Sequence, residues 1–281
     1  MAQDWAARIA AIGASGAPGT VVHIGAGDGA IAAAALAAGA AQVVLTEPDP
    51  AHLPALEALA AGNAKVQVLP VAVTATTGQS PYFRTNVPDA SGLRDPAGMA
   101  VIFPGLKVQD RPVVETLAAA DLVARVPLPE GGGHVLVIEA PGEEAAVLDG
   151  IASAGAIERF SHVLLRAGAE ALLPGAEPAD RLVARLVEAG FRLTAEDRSD
   201  PDFPVLALSL DPLVPQNRRL QAALAAAEAE ATGRAQALAT LESNFAALKD
   251  KADMREKRIG ELEAALQATA AEARAQGEAK D

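Results

Sequence analysis

The sequence of 281 residues lacks cysteine, which excludes disulfides, zinc–thiolate sites and a thiol nucleophile. Aromatic residues are also few, with one Trp, one Tyr and six Phe. The core must therefore be built mainly from Ala, Val, Ile and Leu. The four histidines lie far apart, without the spacing of metal ligands. We therefore predict no metal site.

Long apolar runs and the features of an export signal are missing as well. The longest apolar stretch, residues 30–41, is rich in alanine, too short to span a bilayer and interrupted by Gly39. Residues 1–16 contain an acid, Asp4, and a single base, Arg8, which is unlike the basic start of a signal peptide. We expect no membrane span and a cytoplasmic location.

Basic residues are outnumbered by acidic ones. The 23 Lys and Arg residues face 36 Asp and Glu, for a net charge of −13 at pH 7. Residues 212–281 contain 10 bases and 11 acids, so the acidic excess lies in the preceding part of the chain. An acidic surface repels phosphate backbones. On this ground we expect no nucleic-acid partner.

The first two hundred residues alternate short β-branched runs with helical stretches. This alternation is typical of an α/β fold with a Rossmann-like, mostly parallel sheet. We predict a short helix over residues 5–12, a third strand over 66–73 and a helix near 114–124. Residues 74–112, rich in Pro and Gly, are expected to form a long irregular loop or a short hairpin. The last two strands, near 192–195 and 205–210, are expected to form an antiparallel hairpin, so the final strand is antiparallel.

A heptad pattern begins after Pro215. Sixteen positions from Leu220 to Ala273 alternate spacings of four and three, and thirteen of them are apolar. The pattern predicts one helix of roughly sixty residues that forms a coiled coil. We expect two domains, residues 1–212 and 213–281, and a homo-oligomer or a helical partner through residues 216–275. The alternative is an Ala-rich helix that stays single or folds back on the body.

A glycine-rich turn follows the first predicted strand, residues 21–24. Gly25, Gly27 and Gly29 let the backbone turn tightly and let a ligand approach without a Cβ in the way. Glu47 ends the second strand, where an acid can accept hydrogen bonds from both hydroxyls of a ribose. These features predict an adenosine-type cofactor site at the carboxyl edge of a parallel sheet. Alternatively, the glycines serve only strand–helix packing, and Glu47 is a solvated acid.

The segment GAGDGA also satisfies the dinucleotide pattern G-x-G-x-x-G/A, so a nicotinamide or flavin enzyme is an alternative. Asp28, however, lies where it would repel a pyrophosphate but tolerate the cationic sulfonium and ammonium of S-adenosylmethionine. The sequence also lacks a recognisable oxidoreductase substrate domain and a catalytic Tyr/Lys pair. We therefore predict S-adenosylmethionine as the cofactor, with Asp28 near its methionine part. Asp28 could instead cap the following helix.

Six segments resemble, in order and spacing, the motifs of the FkbM-type methyltransferases, over residues 20–210. They are VVHIGAGDG, LTEPDP, VQVLPVAVTATTGQSPYF, ASGL, VVETLAAADL and VLVIEAPGEEAAVLDGI. In the last segment Gly142, Glu144, Leu148 and Gly150 match the signature K-I-D-x-E-G-x-E-x-x-V-L-x-G. The resemblance implies a class I methyltransferase fold and O-methylation of a sugar or another small metabolite, hence a small-molecule or glycan acceptor.

The departures from the family pattern concern mainly the substrate half. His23 stands where an acid usually precedes the glycines, Val137 replaces the signature lysine, and Pro141 the first signature glutamate. Glu139 replaces the signature aspartate, and Ala118 the aspartate of the "TLD" segment. These losses leave open a catalytically degenerate scaffold that oligomerises or recruits a partner through its coiled coil.

Two glutamates are the catalytic candidates. Glu139 ends the fourth strand, where a carboxylate can act as a general base, and Glu144 follows in the first turn of the next helix. Each also has a structural interpretation, as a solvent-facing acid and as a partner of the helix dipole, respectively. His23 is expected beside the cofactor carboxylate, with a hydrogen-bonded strand histidine as the alternative.

Overall fold

The computed structural model describes residues 5–278, with side chains described up to residue 274. The chain divides into two units, Met1–Pro215 and Gln216–Asp281. The helices and strands, in chain order, are α1 (Trp5–Ser15), β1 (Thr20–Ile24), α2 (Ala30–Ala37), β2 (Gln42–Thr46), α3 (Leu53–Gly62), β3 (Val66–Leu69), β4 (Ala72–Thr74), β5 (Gly78–Pro81), β6 (Arg84–Thr85), β7 (Val108–Asp110), β8 (Val113–Ala118), α4 (Ala119–Arg125), β9 (His134–Ile138), α5 (Glu144–Ser153), β10 (Phe160–Arg166), α6 (Ala179–Glu188), β11 (Phe191–Asp197), β12 (Val205–Leu210) and α7 (Leu213–Glu278).

The central sheet of the first unit has seven strands in the order β11-β12-β10-β9-β1-β2-β3. Strands β10, β9, β1, β2 and β3 are mutually parallel, and β12 is antiparallel to both β10 and β11. Every residue of β1 and β9 is buried, as expected for central strands covered by helices on both faces. The predicted Rossmann-like sheet with an antiparallel final strand is confirmed.

Alternate residues of the central strands enter two separate cores. Val22 of β1 and Leu136 of β9 pack in one core, with residues of α4, α5 and α6. Val21 and Val137 pack in the other, with residues of α1 and α2 such as Ile9. This alternation follows from the two-residue period of a strand. Because β1, β2, β9 and β10 are parallel, their carboxyl ends meet at one edge of the sheet.

The loop segment, residues 74–112, contains more strand than the sequence predicts. Strand β8 pairs with β4 in parallel and with β5 in antiparallel orientation, and β6 pairs with β7. The helix predicted near residues 114–124 is therefore wrong in its first half, because α4 begins only at Ala119. The predicted third strand over residues 66–73 is also divided. It separates at Pro70, which has no N–H to donate, into β3 of the central sheet and β4 of the small one.

The second unit consists of the continuation of α7, so the predicted long helix is confirmed. The apolar heptad residues are exposed within this helix, from 53% to 72% for the largest ones. These are Leu220, Leu224, Leu238, Leu241, Phe245, Leu248, Ile259, Leu262 and Leu266. The coiled coil stays a prediction. Among the described residues, no helix is long and apolar enough to cross a membrane.

Candidate cofactor and acceptor site

A cavity of about 520 Å³ opens at the carboxyl edge of the central sheet. Its walls come from the ends of β1, β2, β9 and β10, from α1, and from the loop segment. This volume lies within the range of small-molecule and cofactor sites, roughly 300–1,000 Å³. Five of the six predicted cofactor-binding residues line the cavity, and Gly29 does not. The five are His23, Gly25, Gly27, Asp28 and Glu47. Both catalytic candidates, Glu139 and Glu144, also line it.

The three glycines of the turn have different surroundings. A Cβ at Gly25 would lie 2.1 Å from the carbonyl oxygen of Glu139, and one at Gly29 would lie 2.6 Å from Leu59. At Gly27, where φ is +54°, a Cβ would meet nothing within 4 Å. A side chain at Gly25 would therefore clash with the backbone, whereas one at Gly29 would meet the ends of leucine side chains. Gly27 leaves open space where the turn borders the cavity.

Glu47 connects the end of β2 to the glycine turn. The residue is 4% exposed, and its Oε2 accepts a hydrogen bond from the Gly27 N–H at 2.8 Å. Its Oε1 accepts one from the Asp49 N–H, also at 2.8 Å. Burial raises the pKa of Glu47, and these two backbone donors oppose the rise. Each oxygen of a carboxylate can accept a second hydrogen bond, so the pair of ribose hydroxyls predicted here has acceptors available.

Asp28 lies one residue before the N-cap position of α2, which is Gly29 and has no side-chain cap hydrogen bond. Its Oδ1 accepts a hydrogen bond from the Ala30 N–H at 3.1 Å, beside the first turn of α2. The side chain is nevertheless on the exposed part of the turn and borders the cavity. This contact uses one carboxylate oxygen, and the proximity of Asp28 to the methionine part of the cofactor stays a prediction.

Glu139 is held by two side chains that contact different oxygens. The indole Nε1–H of Trp5 donates to Oε1 at 3.0 Å, and His23 Nε2 lies 3.0 Å from Oε2. The imidazole is 2% exposed, whereas the Glu139 side chain is 24% exposed and faces the cavity. Trp5 is a site residue that the sequence interpretation missed. No local signal could have revealed it, because 134 positions separate Trp5 from Glu139.

Glu144 and its neighbour Glu143 differ in their partners. Burial raises the pKa of Glu144 to about 8, although backbone N–H groups at Glu144 and Gly142 lower it. Glu143 instead accepts a hydrogen bond from Thr74 Oγ1 at 2.5 Å and pairs with Arg94 Nε at 2.5 Å. At neutral pH the Glu144 carboxyl is therefore mainly protonated, and it can donate a hydrogen bond rather than act as a base.

Two arginines attach the loop segment and neighbouring loops to the sheet edge. Arg84 forms a bidentate pair with Asp49, at 3.0 Å through Nε and 2.7 Å through Nη2. Burial alone would raise the pKa of Asp49, but the hydrogen bonds from Arg84 and from a backbone N–H outweigh it and lower the pKa. Arg166, at the end of β10, pairs with Asp89 at 3.1 Å and Asp200 at 3.5 Å. These contacts place the loop segment along one wall of the cavity.

The chain is similar to solved methyltransferase structures at low identity. No protein-family model and no curated protein matches it. An FkbM methyltransferase from Methylobacillus flagellatus is 13% identical, with a TM-score of 0.43, over 68% of this chain and 43% of that one. The ribosomal protein L11 methylase of Lactobacillus delbrueckii subsp. bulgaricus is 18% identical, with a TM-score of 0.39, over 75% and 81%. A Streptococcus pneumoniae protein assigned as a tRNA (m1A22) methyltransferase, in complex with S-adenosyl-L-methionine, is 11% identical, with a TM-score of 0.42, over 75% and 73%.

These similarities correct one expectation from the sequence. The expected exclusion of nucleic acid is contradicted, because structures similar to this chain include enzymes assigned to RNA and to a ribosomal protein. The small-molecule or glycan acceptor is not confirmed. The exclusion rested on the net charge of −13. Net charge averages over the whole surface, whereas a macromolecular substrate is bound by a local surface. The charge therefore does not decide the class of acceptor.

Proposed function

We propose that the first unit is an S-adenosylmethionine-dependent methyltransferase that acts on an acceptor oxygen. The observation that supports this most directly is the position of Glu47. Its buried carboxylate is connected to Gly27 by a hydrogen bond at 2.8 Å, beside open space in the cavity. That is the arrangement expected of a ribose acceptor next to a turn that a ligand can approach closely.

The charges around the cavity fit this cofactor better than a dinucleotide. Glu47, Asp28 and Glu139 all border it. The lining arginine, Arg166, already pairs with two aspartates. A pyrophosphate would therefore face carboxylates and an arginine whose charge two aspartates already balance, whereas the cationic groups of S-adenosylmethionine would be attracted. When bound, S-adenosylmethionine supplies a methyl group on a sulfonium that is already a good leaving group.

The residues of this chain contribute positioning and proton transfer. Glu139 faces the cavity as a carboxylate and removes the proton from the acceptor hydroxyl. Glu144 lines the same cavity and, in its protonated form, can donate a hydrogen bond to a bound ligand. Glu47 orients the ribose, and Asp28 lies near the methionine part. Most of the rate enhancement would come from alignment of the acceptor with the methyl group.

Calorimetric titration with S-adenosylmethionine, S-adenosylhomocysteine and NAD tests the cofactor assignment. We expect the adenosyl ligands to bind and NAD not to. Glu47→Gln should weaken binding by about tenfold or more, because hydrogen bonds to a charged acceptor contribute about 1.5–3 kcal/mol. Glu57→Gln, at an exposed position of α3, is the matched control and should bind as the unmodified protein does. Absence of binding to a folded sample would contradict the proposal and favour the degenerate scaffold.

The acceptor is then sought by following formation of S-adenosylhomocysteine. The panel includes sugars, other hydroxyl compounds and RNA, because the cavity alone does not choose among them. Turnover that Glu139→Gln abolishes, with cofactor binding preserved, would support a catalytic carboxylate. Cofactor binding without turnover on any member of the panel would favour a domain that binds the cofactor and no longer transfers the methyl group.

A further inference from the structure

The carboxylate of Glu139 has an environment that its sequence position does not explain. It lies just after β9, yet its two oxygens contact residues from α1 and β1, Trp5 and His23. Trp5 is 8% exposed and packs with Ile9 of the same helix in one of the two cores. Two nearly buried rings therefore fix the rotation of a carboxylate that still faces the cavity.

The surroundings of the buried imidazole favour one of its tautomers. His23 Nδ1 is buried and has no hydrogen-bond partner. A proton on Nδ1 would leave a donor unsatisfied in the core, which costs more than an unused lone pair. The favoured tautomer therefore has its N–H at Nε2, and this N–H donates a hydrogen bond to Glu139. The carboxylate thus accepts hydrogen bonds from both the imidazole and the indole.

From this geometry we infer that Trp5 and His23 are positioning residues for Glu139. The inference rests on the proposed function and deepens it. The two donors hold the carboxylate in one orientation, and its remaining lone pairs are directed to the acceptor hydroxyl. Trp5 thereby assists methyl transfer from α1, although this helix precedes the whole cofactor motif.

The hydrogen bond to Trp5 can be measured without turnover. Trp5 is the single tryptophan of the chain, so the protein gives one indole N–H resonance in a ¹H–¹⁵N spectrum. A hydrogen bond to a carboxylate moves this resonance downfield. We expect Glu139→Gln to shift it upfield and Glu57→Gln to leave it in place. An indole resonance that Glu139→Gln does not move would overturn the inference, whatever the activity.

The positioning role predicts a separation of turnover from cofactor binding. Trp5→Phe and His23→Leu each remove one donor, and we expect kcat to fall about tenfold or more while the Kd of S-adenosylmethionine changes by less than about twofold. His23→Gln retains an N–H donor and should recover most of the lost kcat. Ile9→Val loosens the packing of α1 without removing a donor, so it should retain the kcat of the unmodified protein.

Two further outcomes separate the inference from the function on which it rests. If Ile9→Val loses as much activity as Trp5→Phe, or if both donor deletions keep full kcat, the positioning role is wrong. If the unmodified protein does not bind S-adenosylmethionine, the proposed function fails. The positioning role for methyl transfer then fails with it, while the indole resonance still reports whether Trp5 holds Glu139.

Discussion

Glu144 lies in the first turn of α5 with its carboxyl group almost completely enclosed. Its pKa of about 8 compares with 4.5 for the same group in an unfolded chain. The unfolded chain therefore releases this proton at lower pH than the folded protein does. The contribution of this group to the free energy of unfolding is fully present below about pH 4.5 and is lost as the pH rises to about 8.

The first prediction follows from this decrease of stability with rising pH. Glu144→Gln cannot ionise, so it avoids the loss of stability at higher pH. We expect its melting temperature, relative to that of the unmodified protein, to rise between pH 5 and pH 8. Thermal unfolding at both pH values checks this, with the exposed Glu57→Gln as the control. A difference in melting temperature that stays constant between the two pH values would contradict the raised pKa.

The second prediction separates the glycines of the turn. Gly25 and Gly27 both have positive φ, +79° and +54°, so alanine at either position costs about 1–3 kcal/mol of backbone strain. At Gly25 the new Cβ would also lie 2.1 Å from a carbonyl oxygen. Gly25→Ala should therefore unfold at a much lower temperature than Gly27→Ala. Gly27→Ala should instead lose affinity for S-adenosylmethionine, since its Cβ would enter open space at the cavity. Equal melting temperatures would show that the clash at Gly25 is relieved.

At the scale of elements, the loop segment depends on a single bidentate ion pair for its attachment to the end of β2. Arg84, at the start of β6, contacts both oxygens of Asp49. Lysine is a point charge and cannot reproduce the two parallel hydrogen bonds. The local stability of β6 and β7 should therefore depend on the guanidinium group.

Arg84→Lys tests this dependence by amide hydrogen exchange. We expect exchange in β6 and β7 to become about tenfold faster, as a loss of about 1.4 kcal/mol of local stability would give. Exchange in β1 and β9 should not change, because the sheet core does not depend on this pair. The control is Arg181→Lys, at an exposed position of α6. Slow exchange in β6 and β7 of the Arg84 variant would mean that other contacts hold the loop segment.

Elements with a strong local pattern could be predicted, and those defined by distant partners could not. The apolar run of β1, the glycine turn and α2 identified the cofactor half, because burial and turn geometry there leave a local signature. Strand β8 was mistaken for helix, although Val114 and Thr116 alternate as buried residues with exposed Glu115. Its helix-forming residues masked this short alternation, and its partners β4 and β5 are remote in sequence.

The same limit applies to the site. Glu47 and Gly27 could be predicted as neighbours, since parallel strand ends meet at one edge of a sheet. The contacts of Glu139 could not, because they depend on where α1 packs. The position of Asp28 at the turn could be predicted, but its hydrogen bond from the Ala30 N–H could not. Local chemistry thus identified which residue types border the cavity, and packing decided which of them touch.

At the scale of the whole molecule, the residues that line the cavity and the residues of the second unit come from separate parts of the chain. The residues that line the cavity extend from Trp5 to Phe203, all within the first unit. Val214, which lies against Gly190, also belongs to that unit. A chain that ends after Pro215 therefore retains every residue of the candidate site and the packing at Gly190.

The last prediction uses this shortened chain. Its Kd for S-adenosylmethionine should agree with that of the full chain within about twofold, a difference of about 0.4 kcal/mol. Calorimetry on both proteins at the same pH and salt concentration makes the comparison. Weakening by more than about tenfold, in a shortened protein that is still folded, would show that residues after Pro215 contribute to binding.

The hydrogen bonds of Glu47 have a further consequence, for the entropy of binding. Gly27 and Asp49 are connected through one carboxylate of the protein itself. A ligand that enters the cavity therefore does not have to order the two loops, and it avoids the loss of backbone freedom that a disordered site would impose. Affinity at this end of the cavity should depend on the contacts themselves and on released water, with little cost from refolding of the loops.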